Sequence, residues 1–283
     1  MTKQLQRLVF AFMLVSATGA THAQWLNYPA PGLPRLANGK VDLAAKSPRT
    51  LDGHPDLSGV WHVQTESLEE KRRLFGPQVG LVTVPGMEPE TTSKYGRDIL
   101  LDYKPGEITM TPEGQARFEK NRKGDTLSLT TACLPIGMPR ALLLSEVHKI
   151  IQAPGVIAVM LELDSMTRQI YTDGRPLPKD PTPSWLGYST GHWEADVLVV
   201  ETNGLNDRTP LDGIGHPRSE AMKMTERYRR LDVGHLEHKI TFDDLKMYNK
   251  PFTVTLTHLL QADSDILEYV CNENEKDRAH LTR

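Results

Sequence analysis

Between residues 184 and 274 the chain divides into short runs in which apolar and polar residues alternate, each ended by turn-forming residues. Successive side chains of a strand point to opposite faces, so this alternation demands a sheet with one buried and one wet face. In the run 252–261, Phe252, Val254, Leu256, His258 and Leu260 fall on one face and Thr253, Thr255 and Thr257 on the other. Leu236, His238, Ile240 and Phe242 form the matching stripe, opposed by Glu237, Lys239 and Thr241. Residues spaced by two cannot share one side of a helix, which excludes a helical fold for this half of the chain.

The same pattern predicts strands at 57–63, 147–152, 156–163, 167–171, 185–194, 197–202, 221–231, 236–243, 252–261 and 266–271. Asp173-Gly174 and Asn203-Gly204 read as hairpin turns, and Ala195-Asp196 as a brief corner. So many short strands predict a mainly β fold, an antiparallel meander closing into a barrel, with a β-sandwich as the alternative. Pro29, Pro31, Pro34, Pro48 and Pro55 make residues 24–56 an extended arm. One short helix is predicted at 111–123, where Pro112 follows the cap Thr111 and Glu113 favours the positive helix end. Residues 57–283 then form a single β-rich domain.

Lys3 and Arg7, the apolar run 8–15 and the small-residue end Thr21-His22-Ala23 predict a signal peptide over 1–23, cut before Gln24. The apolar run is far shorter than the ~20 residues of a membrane span, and no later run replaces it. The expectation is a soluble periplasmic or secreted protein without an integral membrane segment. Loss of Lys3 and Arg7 takes the formal charge from −3 to −5. The basic groups Lys71-Arg72-Arg73 and Arg227 with Arg229 and Arg230 are short and neighboured by glutamates, which argues against nucleic acid as a partner. In an oxidising compartment Cys133 and Cys271, the only cysteines, are expected to form a disulfide, since neither has an activating neighbour.

Hairpin pairing places Tyr228 opposite His238, His238 opposite His258 across a turn centred near Tyr248, and His258 opposite Glu268. These four polar groups on the apolar face must bond one another or face a cavity, because each otherwise costs about 1–3 kcal/mol. The row fits a satisfied network, a ligand cavity with a histidine acid or base, or a metal held by two histidines and a carboxylate. No residue is assigned to a metal, and the cofactor is left open. A second polar group runs from Asn206 to Arg230, in a loop feeding a strand. Asp212, His216 and Ser219 supply the residue types of a hydrolase triad without a Gly-x-Ser-x-Gly elbow. Glu226 and Arg227 face opposite ways in a strand, so one points inward toward a partner, with Asp173 and Arg175 as candidates. The catalytic candidates are therefore Asp173, His216, Glu226 and Arg227. The ligand-binding candidates are Arg175, Trp185, Trp193, Tyr228, His238, His258 and Glu268, the two tryptophans as an aromatic wall with Tyr188 between them.

Gly59-Val60-Trp61 resembles the Gly-x-Trp signature that opens lipocalin-like barrels, and the resemblance implies a tryptophan closing the barrel floor. Most of the mature chain also resembles a family of exported proteins of soil and aquatic bacteria that brings no activity with it. The match rests on Asp56-Leu57-Ser58-Gly59-Val60-Trp61, Cys133-Leu134-Pro135 with Pro139-Arg140, and Tyr171-Thr172-Asp173-Gly174-Arg175. It continues in Trp193-Glu194 with Leu198-Val199-Val200-Glu201-Thr202, in Glu226-Arg227 and in Cys271-Asn272-Glu273-Asn274. Ala195-Asp196-Val197 stands where that pattern has Gly-Asp-Thr, and His238 and His258 lie outside it. Three functions remain open: a barrel binding a small apolar or amphipathic ligand, a barrel enzyme (isomerase, lyase or hydrolase) using general acid and base groups, or an envelope scaffold without a pocket.

Overall fold

A computed structural model describes residues 29–77, 93–123, 134–144 and 146–268. Nine strands, β1 (Gly59–Val63), β2 (His148–Ala153), β3 (Val156–Leu161), β4 (Thr167–Tyr171), β5 (Tyr188–Glu194), β6 (Val197–Asn203), β7 (Lys223–Arg230), β8 (His235–Asp243) and β9 (Phe252–Leu260), pair in sequence order. β9 pairs back on β1, so the sheet is a closed barrel. Closure removes the sheet edges. Every seam is antiparallel except β4–β5, which is parallel and held by only two residue pairs, Ile170 with Ser189 and Tyr171 with Thr190.

The alternating pattern places these strands correctly, and two turn expectations are revised. Asp173-Gly174 opens a long return path to β5 instead of a two-residue hairpin, because the next strand runs parallel. Asn203-Gly204 begins the excursion 204–222 before β7. Residues 266–268 are not a strand, and 269–271 lie outside the described residues. So do the signal segment and both cysteines, and with them the expected disulfide.

β7 and β8 pair as expected, Tyr228 with His238. Between β8 and β9 the register moves by two: His238 faces Leu256, and Leu236 faces His258. The turn is centred on Met247, where the Asp244 carbonyl accepts the amides of Met247 and Tyr248 and winds the loop into a helical turn. A slip of two keeps each side chain on its face, so His238 and His258 both still point inward, as diagonal neighbours.

The inner face carries the core. Trp61, Val63, Ile150, Leu236, Ile240, Phe242 and Val254 are all buried. Trp61 lies at the floor, donating Nε1–H to the Leu57 carbonyl at 3.1 Å, with the Arg230 guanidinium 4.9 Å from its ring centre. The proline-rich arm crosses this floor. Val233 and Gly234 donate amides to the carbonyls of Ala45 and Leu43, His54 stacks on Trp193 at 4.7 Å, and Arg49 pairs with Asp196.

The opposite end, the rim, is covered by helices α1 (Leu68–Phe75), α2 (Lys94–Arg97), α3 (Pro112–Lys123) and α4 (Arg140–Leu143) and by the loop 204–222. Only α3 is legible in the sequence. Its cap forms as expected, with Thr111 Oγ1 accepting the Gly114 amide at 3.0 Å. Gly114 lets α3 press against the β8–β9 turn, since a Cβ there would lie 2.2 Å from the Met247 carbonyl oxygen.

Candidate functional site

The lumen holds a network whose centre is Glu226. Alternation along β7 turns Met224, Glu226, Tyr228 and Arg230 inward and Arg227 outward, where Arg227 pairs with Glu194 at 2.8 Å. The inward partner of Glu226 is Arg168 of β4, and the expected Asp173 and Arg175 pair with each other on the surface. Both Glu226 oxygens accept from Arg168; Oε1 also accepts Tyr228 Oη–H at 2.7 Å and His238 Nε2–H at 3.1 Å. Arg168 further donates to Ser189 Oγ at 3.1 Å and Thr202 Oγ1 at 2.8 Å.

A carboxylate only accepts, so His238 carries its proton on Nε2 and its Nδ1 accepts from His258 Nε2–H at 3.1 Å. That leaves His258 Nδ1 as a bare, buried lone pair. Tyr228 stacks on His238 at 3.9 Å, and the edge of His148 meets His258 at 5.0 Å. Burial alone would raise the Glu226 carboxyl; the Arg168 charge and the bonds from His238 and Arg168 outweigh it and hold it far below the usual carboxylate range. Burial, reinforced by neighbouring histidines, pushes His148 down to about 4 and His258 well below its usual value. Arg168 and Glu226 are 1% and 0% exposed. The predicted row is thus a polar core bonded around Glu226, which stands in place of Glu268, exposed beyond β9, and one acceptor in it, His258 Nδ1, stays unmet. His238 has committed both ring nitrogens, so it is not a metal ligand in this arrangement.

The rim collects a different set of groups. Asp212 organises the loop 204–222: its Oδ1 accepts the amides of Gly215 and His216, and its Oδ2 accepts the amide of Ile99 at 2.8 Å. Gly215 takes φ +103°, which favours glycine, and its carbonyl accepts from Asn121 of α3. His216 Nδ1–H donates to Asp212 Oδ2 at 2.5 Å, and its ring stacks on Phe118 of α3 at 5.1 Å. The carboxylate holds the proton on Nδ1, so Nε2 is the ring nitrogen left to meet a bound molecule. Asp98 stands 3.9 Å from His216 Nδ1; burial raises its carboxyl above the usual range, and the Asp212 charge adds to the rise.

The donor atoms of Asp98, Asp212 and His216 lie within 4.8 Å of one another, a spacing that a cation could use. However, Asp212 already accepts four N–H bonds, about its full capacity, so a metal would have to displace at least one of them. Ser219 is not part of a triad, because its hydroxyl and amide both bond Asp244.

Two arginines flank this pair. Arg218 is 1% exposed and donates to the carbonyl of Met138, to Thr209 Oγ1 at 2.7 Å and to Asn206 Oδ1 at 3.3 Å, all neutral. Burial pushes it down to about 10; the Asp207 charge resists this and the Arg140 charge adds to it. Arg140 opens α4 and is lowered by burial, with Asp212 opposing. Six buried side-chain atoms lack a hydrogen-bond partner among the described residues, and the two on guanidinium groups, Arg140 Nε and Arg218 Nε, both belong to this rim. An unmet buried donor costs about 1–3 kcal/mol, and more on a charged group.

Trp185 lies beside them. Its carbonyl accepts the Met138 amide, its ring packs on Gly137, and Arg208 sits 5.5 Å from the ring centre. Trp193 lies toward the floor end of β5 against His54, so the two tryptophans do not form one wall. Tyr188 instead stacks on Tyr171 at 5.3 Å, with Arg175 above Tyr171. A groove of about 240 Å³ outside the wall, between Thr255 and α2, is polar, and its Lys94 is already paired with Asp102.

Of the expected catalytic groups, the structure brings only His216 to the rim; Glu226 is sealed in the lumen, and Asp173 and Arg227 lie outside. Arg168 was readable as a polar residue at an inward position of β4. Arg140 was visible in the Pro139-Arg140 motif but carried no sign of its surroundings. Asp98 and Phe118 reach the site through helices whose place only the tertiary structure sets. Among the described residues no helix is long and apolar enough to cross a membrane. No family model matches this chain, and no curated protein matches it in sequence.

Proposed function

We propose that this protein is an exported barrel that binds a small amphipathic molecule at its rim, between loop 204–222, α3 and α4, and not in its lumen. The observation that carries this reading is the pair of unmet buried guanidinium donors, Arg140 Nε and Arg218 Nε, at a rim where Trp185 packs on Gly137 and Phe118 stacks on His216. The lumen offers no comparable demand for a charged partner, because Arg168 and Glu226 satisfy each other. Export rests on the signal-like segment 1–23 and on the resemblance to exported bacterial proteins, and recovery of the cleaved chain in the osmotic-shock fraction is its test.

Native mass spectrometry of protein taken from that fraction, set against its denatured mass, tests the site. A retained small molecule that is lost in Arg140→Gln and kept in Tyr228→Phe is the expected result. Loss in Tyr228→Phe alone would move the ligand into the lumen and end the rim reading.

A second reading is favoured by one further observation, the His216–Asp212 pair: a buried carboxylate fixes the proton on Nδ1 and leaves Nε2 as a base. On this reading His216 moves a proton of the bound molecule. Exchange of an acidic C–H of the retained molecule with deuterated water, fast in the native protein and lost in His216→Asn, supports it. Equal exchange in both proteins sinks it.

A further inference from the structure

We infer that the rim site takes a single carboxylate group, held between Arg140 and Arg218. This rests on the rim reading and names the chemistry of its ligand. The other buried arginines show what satisfaction looks like in this protein. Arg168 spends both terminal nitrogens on Glu226. Arg230 has no acidic partner, yet it meets four backbone carbonyls, those of Asp56, Ser58, Asp232 and Val233. Arg218 and Arg140 have neither arrangement. Arg218 bonds only neutral acceptors, and its Nε meets nothing. Arg140 Nε is likewise sealed and unmet.

The acids in reach are already occupied. Asp207, whose charge acts on Arg218, is bound by Arg117 at 2.7 Å, and Asp212, whose charge acts on Arg140, is filled by four N–H donors. The two guanidiniums also act on each other as like charges, and Arg218 bonds the carbonyl of Met138, two residues before Arg140. An oxyanion between them would meet the orphan donors and relieve that repulsion. A planar carboxylate matches the guanidinium fork. Its single charge also suits a site that holds Asp98, Asp207 and Asp212, from which a phosphate dianion would be repelled. The ring of Trp185 against Gly137, beside Met138, supplies an apolar face for the rest of such a molecule.

Titration calorimetry of the exported protein with octanoate, octanol and inorganic phosphate tests the inference. Octanoate is expected to bind at least about tenfold more tightly than octanol or phosphate, and Arg140→Gln to weaken octanoate by at least about tenfold. Arg73→Gln, an exposed change on α1, serves as the unaltered control. Arg140 is the primary variant because it is only half-buried, and circular dichroism verifies its fold; Arg218→Gln is the second. Octanol binding as tightly as octanoate, or a folded protein that ignores octanoate, overturns the carboxylate. A neutral molecule retained by the native protein and lost in Trp185→Ala would do the same while leaving the rim reading intact. Octanoate bound equally by Arg140→Gln, Arg218→Gln and Trp185→Ala sinks both.

Discussion

Replacing Glu226 by Gln keeps the shape of the side chain and removes its charge, which strands Arg168 in a lumen where it is 1% exposed. Breaking one side of a buried ion pair costs about 3–5 kcal/mol, so Glu226→Gln is expected to lose that much in urea unfolding, with its fold retained at low denaturant. The double change Arg168→Met with Glu226→Leu should recover most of the loss, because neither charge is then buried alone. A double change no more stable than Glu226→Gln would show that the network contributes more than its charges. Gly114 is a second test at this scale. A Cβ 2.2 Å from the Met247 carbonyl oxygen forces α3 off the β8–β9 turn, and Gly114→Ala should cost about 1–3 kcal/mol in thermal or urea unfolding despite alanine's better helix propensity. His238 is legible in the sequence as an inward polar residue, and alternation shows that either Glu226 or Arg227 must join it. The partner, Arg168, was not legible as such, because pairing across a closed barrel depends on which strands meet, and alternation carries no such information.

At the scale of elements, the wall has unequal seams. β7 and β8 pair along eight residues, from Lys223 with Asp243 to Arg230 with Leu236, whereas β4 and β5 share two pairs. Backbone hydrogen bonds at a short seam open without disturbing the rest of the sheet. In native-state hydrogen exchange, amides of Tyr171 and Ser189 should therefore exchange at least about tenfold faster than those of Thr225 to Tyr228. Equal protection would mean that the barrel opens only as a whole. The strands were legible because one apolar face repeats at a period of two residues, and α3 because Thr111-Pro112 marks its start. α1, α2 and α4 were not. α2 and α4 have four residues each, too short to show a periodic face, and α1 has eight, of which only Lys71 is buried. The β8–β9 register failed by two for a related reason: face alternation is unchanged by a slip of two, and only the turn wound on Asp244 decides between the alternatives.

For the whole molecule, the lumen sets how stability responds to acid. His148, His238 and His258 are buried with values below the usual 6.5, His148 at about 4. The unfolded chain thus binds more protons than the folded one between these limits, and stability is complete above pH 6.5 and lost as pH falls toward 4. His148 alone accounts for about 3 kcal/mol over that interval. Urea midpoints measured across this range should fall steeply, and the slope should be shallower in His148→Leu. A flat profile would show that the histidines are already charged in the folded protein. The barrel itself was legible as a class, since many short strands with one buried face must close or stack. The rim site was not, because its groups come from five separate segments: the end of α2, α3, α4, the return path 172–187 and the loop 204–222. The count of strands carries a consequence of its own. Around any closed ring of strands, direction reverses at each antiparallel seam, so the number of such seams must be even. Nine strands cannot satisfy that parity without one parallel junction, and β4–β5 is where this chain resolves the mismatch. The resolution obliges residues 172–187 to travel back from the floor side to the rim before β5 can begin, and that return delivers Ser184 and Trp185 beside Gly204 and Met138. An even-stranded barrel of the same composition would have no reason to bring an indole to this end.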